Sequence, residues 1–448
     1  MLFQCNVKMC SSKMVLLHLL IYACSLLVLV QSQSCAEKPW EVVHRHLATK
    51  TPYRHLEQER ETPPIRFDGC QVTKIWGLFR HGTRNPSRKV IERMNSDLVQ
   101  IRDEILLHAR LCRKELALFE QWKPRLEPDQ EKLLVKEGAH ELLQIGRRFR
   151  QRFGDDVIPK RYEKTLFNIK FTKTERAEYS ARNFSLGLFG QLEDINFPTP
   201  LSKDPVLRFY KLCERWKGDV KHNPEAVREV DLFYNSKTMK DVIAKISKKV
   251  GTFLDAESIH LMYQTCAFET AWVKKHVSPW CMLFDKATIK ALEFGEDLEY
   301  YWIDGYGYEL TYKQSCNAFR DLFRRFDEDL EPFTFYFTHS GTLLKSLAFL
   351  GLYRDEFPLT HRDFGQKRLW KVSEIDAFAT NLVFSKLECN NGTHVMLMHQ
   401  ERPVHIPGCP KGKVLCDYSH FKRLFSDRIE NCAFEAMCSI GVPRNDEF

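Results

Sequence analysis

The chain contains 448 residues, of which 44% are hydrophobic, and carries a formal net charge of +8 at pH 7. This apolar content is ordinary for a globular protein, so a sizeable core can form, and the length suits one large domain or two closely packed ones. The basic residues form no single long run, and this argues against a nucleic-acid partner. The mild positive charge favours a small polyphosphorylated metabolite instead.

The N-terminal segment, residues 1–34, has the pattern of a secretory signal. Lys8 and Lys13 precede an apolar run over residues 14–30, and small residues that suit cleavage follow it. A signal anchor is the alternative, but the run is shorter than the roughly 20 residues that span a bilayer. We therefore predict a signal peptide, no membrane span after its removal, and a protein that is secreted or held in the lumen of the endoplasmic reticulum.

Fifteen cysteines occur in the chain, and twelve of them follow the predicted signal. An even number of cysteines in an exported protein predicts disulfide bonds. Cys409 with Cys416, and Cys432 with Cys438, are close enough in sequence to close local loops. Zinc is the alternative, but no Cys-x-x-Cys occurs, and we predict no metal site. Two sequons also predict a glycoprotein, Asn183-Phe184-Ser185 and Asn391-Gly392-Thr393.

The main candidate site follows the first predicted strand. Residues 35–67 are polar and rich in proline, and we interpret them as an arm that wraps the domain. An apolar run over residues 72–78 then predicts a buried strand. Arg80, His81 and Arg84 lie in the loop at its carboxyl end, where open α/β sheets bind ligands. Arginine pairs two phosphate oxygens at once, and a neutral imidazole between two arginines can attack phosphorus.

A second candidate arginine follows the next predicted strand. Residues 87–155 have a strongly helical pattern, and residues 168–172 then predict a strand. Arg176 comes at the end of that strand, where helical character resumes. An arginine alone at this place is more often structural, whereas beside the loop at His81 it becomes a candidate phosphate ligand.

The second half of the chain repeats the first motif. Residues 200–330 contain helical, aromatic-rich segments with little strand pattern, which predicts an all-helical cap over the sheet. Residues 333–338 form an aromatic, β-branched strand, followed by His339 and by a helix that ends near Gly351. This is again a strand, a histidine and a helix start. Further strands are predicted near residues 376–386 and 393–399, before a cysteine-rich tail.

The motif Arg-His-Gly-Thr-Arg-x-Pro after an apolar strand resembles the signature of the histidine phosphatase superfamily, in its acid phosphatase and phytase branch. This resemblance implies that His81 is the nucleophile, which becomes phosphorylated, and that Arg80 and Arg84 bind the phosphoryl group. It also implies a phosphate-binding role for Arg176 and makes His339 a further donor. No cofactor is expected.

Other segments resemble the multiple inositol polyphosphate phosphatase subgroup, namely residues 48–53, 204–210, 265–269, 370–373, 375–381 and 401–404. The implied fold is α/β, with a mixed sheet flanked by helices and a helical cap domain. The chain then divides into a signal (1–34), the first part of the phosphatase core (35–199), the cap (200–330) and the second part of the core with the cysteine-rich tail (331–448).

The chain departs from this pattern at the residues after His339. Inositol polyphosphate phosphatases have His-Ala-Glu there, and the glutamate is the proton donor, whereas fungal and bacterial phytases have His-Asp. Here Ser340 and Gly341 follow the histidine, so neither position carries a carboxylate. The departure concerns the mechanism rather than the fold.

These observations predict a phosphomonoester hydrolase that acts on inositol polyphosphates through a phosphohistidine, with 2,3-bisphosphoglycerate as a second candidate substrate. Two alternatives stay open: a catalytically weak or silent relative that binds polyphosphates, and a general acid phosphatase with easier substrates. A mutase of the same superfamily is disfavoured, because the signal and the cysteines point away from the cytosol.

Overall fold

The computed structural model describes residues 43–57, 63–274 and 278–440. The signal predicted over residues 1–34 therefore lies outside the described residues. Within them, no helix combines the length and the apolar character that crossing a bilayer requires.

A mixed sheet lies at the centre of the described chain, with the strand order β2-β3-β1-β4-β5-β6 and with β7 paired to β5. The strands β2, β3 and β1 run parallel to one another, and the pairs from β1–β4 onwards are antiparallel. The strands are β1 (Cys70–Arg80), β2 (Phe167–Phe171), β3 (Phe333–Thr338), β4 (Asn381–Cys389), β5 (Gly392–His399), β6 (Arg402–Val404) and β7 (Leu415–Asp417).

The two faces of the sheet pack against separate cores, because successive side chains of a strand point to opposite faces. On β3, Phe335 and Phe337 belong to one core, and Tyr336 between them belongs to the other. On β1, Phe79 belongs to the first core and Leu78 to the second. Every residue of β3 is buried, as expected for a central strand that is covered on both faces.

Helices cover both faces and fill the long connection between β2 and β3. The α-helices are α1 (Arg54–Glu57), α2 (Arg88–His108), α3 (Arg113–Gln121), α4 (Lys136–Phe153), α5 (Glu175–Phe189), α6 (Glu214–Trp216), α7 (Arg228–Tyr234), α8 (Lys237–Val250), α9 (Ala256–Trp272), α10 (Lys286–Asp304), α11 (Glu309–Lys313), α12 (Cys316–Asp327), α13 (Ser340–Leu350), α14 (Val372–Ile375), α15 (Tyr418–Glu430) and α16 (Phe434–Cys438).

Two glycines bring α4 and α5 into close contact on one face of the sheet. A Cβ added at Gly146 would lie 2.2 Å from the carbonyl oxygen of Phe184, and one at Gly187 would lie 2.1 Å from that of Leu143. No side chain fits at either position, so the two backbones touch. This contact holds the C-terminal half of α5, the helix that carries Arg176, against α4.

The helical character predicted for residues 200–330 is present, since the described part of this range contains helices and turns and no strand. One predicted strand is shifted: the strand expected near residues 376–386 begins only at Asn381. Residues 376–380 instead form a buried loop, which an apolar pattern does not distinguish from a buried strand.

Disulfide bonds join distant parts of the described chain. Cys409 bonds to Cys416, as expected, but the loop predicted between Cys432 and Cys438 is wrong. Because α16 packs against α6, Cys438 instead bonds to Cys213, the residue before α6. The other bonds are Cys70–Cys389, Cys213–Cys438, Cys266–Cys281 and Cys316–Cys432, and Cys112 is disulfide-bonded as well.

Candidate active site

The two candidate histidines meet at one edge of the sheet. Because β1 and β3 are parallel and Arg80 pairs with Thr338, the residues that follow these two strands emerge side by side. His81 and His339 are those residues, and their ring centroids lie 5.4 Å apart. The sheet topology therefore brings together two motifs that are far apart in sequence.

The ring of His81 is held in one orientation. Its Nδ1 lies 2.9 Å from the carbonyl oxygen of Gly82. A carbonyl can only accept, so Nδ1 carries the proton and Nε2 keeps its lone pair. Burial lowers the pKa of His81 well below its usual value, and the charge of Arg176 lowers it further. The imidazole is therefore neutral, which is the form a nucleophile needs.

The two arginines beside His81 are fixed by backbone and aromatic groups. Arg80 donates from Nη1 to the carbonyl oxygen of Thr49 at 2.8 Å and stacks on Phe378, with 4.7 Å from Cζ to the ring centroid. Arg84 donates to the carbonyl oxygen of Asn85 at 2.7 Å. These contacts leave several donors of each guanidinium for a further acceptor.

Arg176 and His339 are in direct contact. Arg176 Nη2 lies 3.4 Å from His339 Nδ1, and His339 Nε2 lies 2.9 Å from the hydroxyl oxygen of Thr172. Since the guanidinium can only donate, Nδ1 is the acceptor and Nε2 carries the proton. Both ring nitrogens of His339 therefore have protein partners in this structure.

A fourth arginine, Arg208, belongs to the site and was missed by sequence reasoning. Burial lowers the pKa of His339 well below its usual value, and four arginines lower it further. These are Arg176, Arg208, Arg84 and Arg80. Arg208 lies in residues 204–210, one of the segments that resemble the inositol polyphosphate phosphatases. The resemblance therefore covers Arg208, although it gave this arginine no role in the site.

The positive charges of this cluster are poorly compensated. Within the described residues Arg80 pairs with Asp376, whereas Arg84, Arg176 and Arg208 form no ion pair. Burial lowers the pKa of Arg84 to about 9 and that of Arg176 to about 10, and neighbouring arginines add to both effects. Among the residues that the structure describes, no acceptor reaches the buried Nε–H groups of three arginines: Arg80, Arg176 and Arg208.

A buried glutamate, Glu141, holds the loop around His81 in place through hydrogen bonds to backbone N–H groups. Glu141 accepts from the backbone N–H of Thr83 at 2.8 Å and from that of Tyr53 at 2.9 Å. Gly82 lies against the backbone of Gly138, since an added Cβ would lie 2.3 Å from that carbonyl oxygen. Gly82 therefore lets the backbone of the His81 loop lie in contact with the backbone of α4.

The loop before β4 closes the site from the other side. The N–H of Phe378 donates to the carbonyl oxygen of Thr51 at 2.9 Å, and the N–H of Ala379 donates to that of His81 at 3.1 Å. Residues 49–53 and 376–381 thus hold the loop at His81 between them. The same arrangement places Asp376, a buried carboxylate that sequence reasoning also missed, beside Arg80.

Comparison with known proteins identifies the family. The profile of the histidine phosphatase superfamily (branch 2) matches residues 71–400, a range that contains both histidines and the four arginines. The chain belongs to the histidine phosphatase superfamily. The resemblance read from the Arg-His-Gly-Thr-Arg-x-Pro motif is therefore confirmed.

Relatives within the histidine phosphatase superfamily extend over nearly the whole chain. Multiple inositol polyphosphate phosphatase 1 of Drosophila melanogaster is 29% identical over 445 residues, with 94% of each chain covered. The protein of the same name from Homo sapiens is 25% identical over 440 residues, which cover 88% of this chain and 89% of the human protein.

Solved structures of a phytase and of an inositol polyphosphate phosphatase share the fold. The phytase from D. castellii has a TM-score of 0.73 at 16% identity, covering 88% of this chain and 87% of the phytase. The multiple inositol polyphosphate phosphatase of Bifidobacterium longum, solved with inositol hexasulfate, has a TM-score of 0.62 at 14% identity, covering 83% of this chain and 95% of that one. The predicted mixed sheet flanked by helices is confirmed.

Proposed function

We propose that this histidine phosphatase hydrolyses phosphomonoesters of inositol polyphosphates, with His81 as the nucleophile. The phosphate ligands would be Arg80, Arg84 and Arg176. One observation carries the proposal: a neutral histidine with a fixed Nε2 lone pair lies among four arginines, of which Arg80 is buried and the other three are half-buried. The names of the relatives support the substrate class, and 2,3-bisphosphoglycerate is a second candidate.

The proposed reaction has two steps. First, the lone pair of His81 Nε2 attacks phosphorus, the ester P–O bond breaks, and the leaving oxygen takes up a proton. Water then attacks the phosphohistidine, the P–N bond breaks, and inorganic phosphate leaves while His81 returns to its neutral form. Arginines that are in place before the reaction stabilise the charge on the phosphoryl oxygens.

The charge of the site supports an anionic substrate. Repulsion between Arg84, Arg176 and their neighbours disfavours the ligand-free state, and a phosphate dianion relieves it. Phosphate oxygens would also accept from the buried Nε–H groups, each of which costs about 1–3 kcal/mol when it has no partner. A substrate with several phosphates can use Arg208 in addition.

Substrate binding is expected to change the contact between Arg176 and His339. A phosphate oxygen competes for the Nη2 donor of Arg176, because a charged acceptor forms the stronger hydrogen bond. The hydroxyl of Thr172 can then donate to His339 Nε2, so that the proton moves to Nδ1. In that tautomer His339 donates to the phosphoryl group, which is the role implied by the family resemblance.

Phosphate release from inositol hexakisphosphate tests this proposal. We expect the purified mature chain to release inorganic phosphate from it, and also from an aryl phosphate, whose leaving group needs little protonation. Release from the aryl phosphate alone would indicate a general acid phosphatase. Release from neither, with retained binding of inositol hexakisphosphate in calorimetry, would indicate a silent relative.

We also propose that the protein matures in the secretory pathway, with residues 1–34 removed. The disulfide bonds support an oxidising compartment. Asn391 lies exposed at the turn between β4 and β5, which suits a glycan. Asn183 lies within α5, and its amide donates to the carbonyl oxygen of Tyr179 at 2.8 Å.

Expression in a secretory host tests this location. We expect a product without residues 1–34, whose gel mobility shifts on glycosidase treatment, and we expect Asn391→Gln to reduce that shift. N-terminal sequencing and electrophoresis measure both results. A cytosolic, reduced and unglycosylated product would contradict the proposal, whereas a shift that depends on Asn183→Gln would move the glycan to α5.

A further inference from the structure

Positions 340 and 341 carry no carboxyl group, so the acid that supplies the proton for the leaving oxygen has to lie elsewhere in the chain. An inositol alkoxide is a poor leaving group, so its departure needs an acid. Among the described residues, Asp304 and Asp376 contact or face the first residues of α13. The inference below rests on the proposed function and concerns which of these two carboxyl groups supplies the proton.

Asp304 faces the place where the family glutamate would begin. A Cβ added at Gly341 would lie 3.3 Å from Asp304 Oδ1. The same carboxyl oxygen forms an ion pair with the ammonium group of Lys345, whose side chain is fully buried. This ion pair already engages the carboxyl group of Asp304.

Asp376 has the surroundings of a protonated acid. Its side chain is fully buried, Oδ1 has no hydrogen-bond partner among the described residues, and Oδ2 contacts the hydroxyl of Ser340. Its Oδ2 also lies 3.4 Å from Nη1 of Arg80. Burial raises the pKa of Asp376 to about 7, although the charge of Arg80 and the hydrogen bond from the Ser340 hydroxyl oppose this effect. Near neutral pH this carboxyl group can therefore hold a proton.

Ser340 connects Asp376 to the cleft. It is the first residue of α13 and directly follows His339, and its side chain is only half-buried. A hydroxyl group can accept one hydrogen bond while it donates another. Ser340 also occupies the position at which phytases carry their aspartic acid, so its side chain starts from the place where such an acid acts.

We propose that the hydroxyl of Ser340 donates the proton to the leaving oxygen and that Asp376 replaces it. As the ester P–O bond breaks, the leaving oxygen takes the hydroxyl proton of Ser340. The hydroxyl takes the carboxyl proton of Asp376, which becomes a carboxylate. When water attacks the phosphohistidine, a proton of that water returns along the same path. Asp376 acts through Ser340 and does not touch the substrate.

The charges around Asp376 set the pH dependence. Arg80 on β1 favours the carboxylate, whereas Asp304 on α10 favours the protonated form. Asp304 is itself paired with Lys345 on α13. The donor must be protonated, so this contribution to turnover is present below the pKa of Asp376, about 7, and is lost as the pH rises through it.

The test compares leaving groups in full-length mature variants. We expect Ser340→Ala and Asp376→Asn to lower kcat for inositol hexakisphosphate on the order of 10²-fold, with a far smaller loss for an aryl phosphate. Ser340→Thr, which keeps the hydroxyl, should retain most of the turnover. Ser346→Ala is the matched control, because it removes a buried hydroxyl from the same helix away from Asp376.

The pH profile gives a second measurement. For inositol hexakisphosphate, kcat of the wild type should fall as the pH rises above about 7, and Ser340→Ala should lose this dependence. An equal loss with both substrates would overturn the proposal, since it would mean that Ser340 and Asp376 only position Arg80. A selective loss in Asp304→Asn alone would assign the proton to Asp304 and would also overturn it.

Failure of the relay and failure of the proposed function give different results. A wild type that hydrolyses neither substrate overturns the proposed function, and the relay with it. A wild type that hydrolyses both, together with a Ser340→Ala variant that matches it on inositol hexakisphosphate, overturns the relay alone.

Discussion

Replacing His81 with alanine is expected to lower kcat for both inositol hexakisphosphate and an aryl phosphate by at least about 10⁴-fold, because no other group can form the covalent intermediate. That loss corresponds to about 5 kcal/mol of transition-state stabilisation. Wild-type enzyme that is quenched in denaturing base after brief exposure to labelled substrate should hold a phosphoryl adduct. The adduct should be labile in acid, stable in base and absent from His81→Ala.

A second histidine provides a matched control for this experiment. His394 also has Nδ1 bonded to a backbone carbonyl oxygen, that of Gly392, at 2.9 Å, but it lies on the far β4–β5 hairpin. His394→Ala should keep both the adduct and the turnover. An adduct that persists in His81→Ala would show that the nucleophile is a different residue, and His339 would be the next to replace.

Replacing Arg176 is expected to have the next largest effect. Arg176→Ala should lower kcat/KM about 10³-fold, the upper range for loss of one donor that stabilises a developing charge. Arg176→Lys keeps the charge but loses the planar fork, so we expect a loss on the order of 10²-fold. Steady-state kinetics with the aryl phosphate measures both, since this substrate makes no demand on the proton donor.

Stability separates a functional role for Arg176 from a structural one. Burial lowers the pKa of Arg176 and the charges of Arg208 and Arg80 lower it further, which means that the folded protein disfavours its charge. Removal of the charge should therefore leave the melting temperature unchanged or raise it. Arg182→Lys is the control on the same helix, because Arg182 pairs with Glu178 at the surface. A large fall in melting temperature with unchanged kcat/KM would make Arg176 structural.

Much of the site could be predicted from the sequence because its signals are local. The strand before His81, the strand before His339 and the helices that follow them each have a clear apolar pattern. Two parallel strands that both end in a histidine can then be expected at one sheet edge. The role of Arg176 was predicted by the same reasoning, since Arg176 lies in the first turn of the helix that follows β2.

The parts that could not be predicted depend on packing between distant segments. Arg208 and Asp376 reach the site from loops, and the local sequence of neither loop shows which distant segment it packs against. Residues 376–380 have the apolar character of a strand, yet they turn back to bond with residues 51 and 81. The disulfide partners of Cys432 and Cys438 likewise depend on which helices pack together. The spacing of the cysteines in the sequence does not show this packing.

The contact between the first described residues and the last strands has a consequence for synthesis of the chain. The hydroxyl of Tyr53 donates to Glu401 at 2.9 Å across 348 residues and accepts from Asn381 at 3.1 Å. Since Tyr53 also binds the glutamate that supports the loop at His81, the site depends on residues that leave the ribosome near the end of translation. Contacts between residues so far apart in sequence form slowly, so the partly folded chain must avoid aggregation until they have formed. A chain truncated before about residue 400 would contain the whole signature motif and still lack an assembled site.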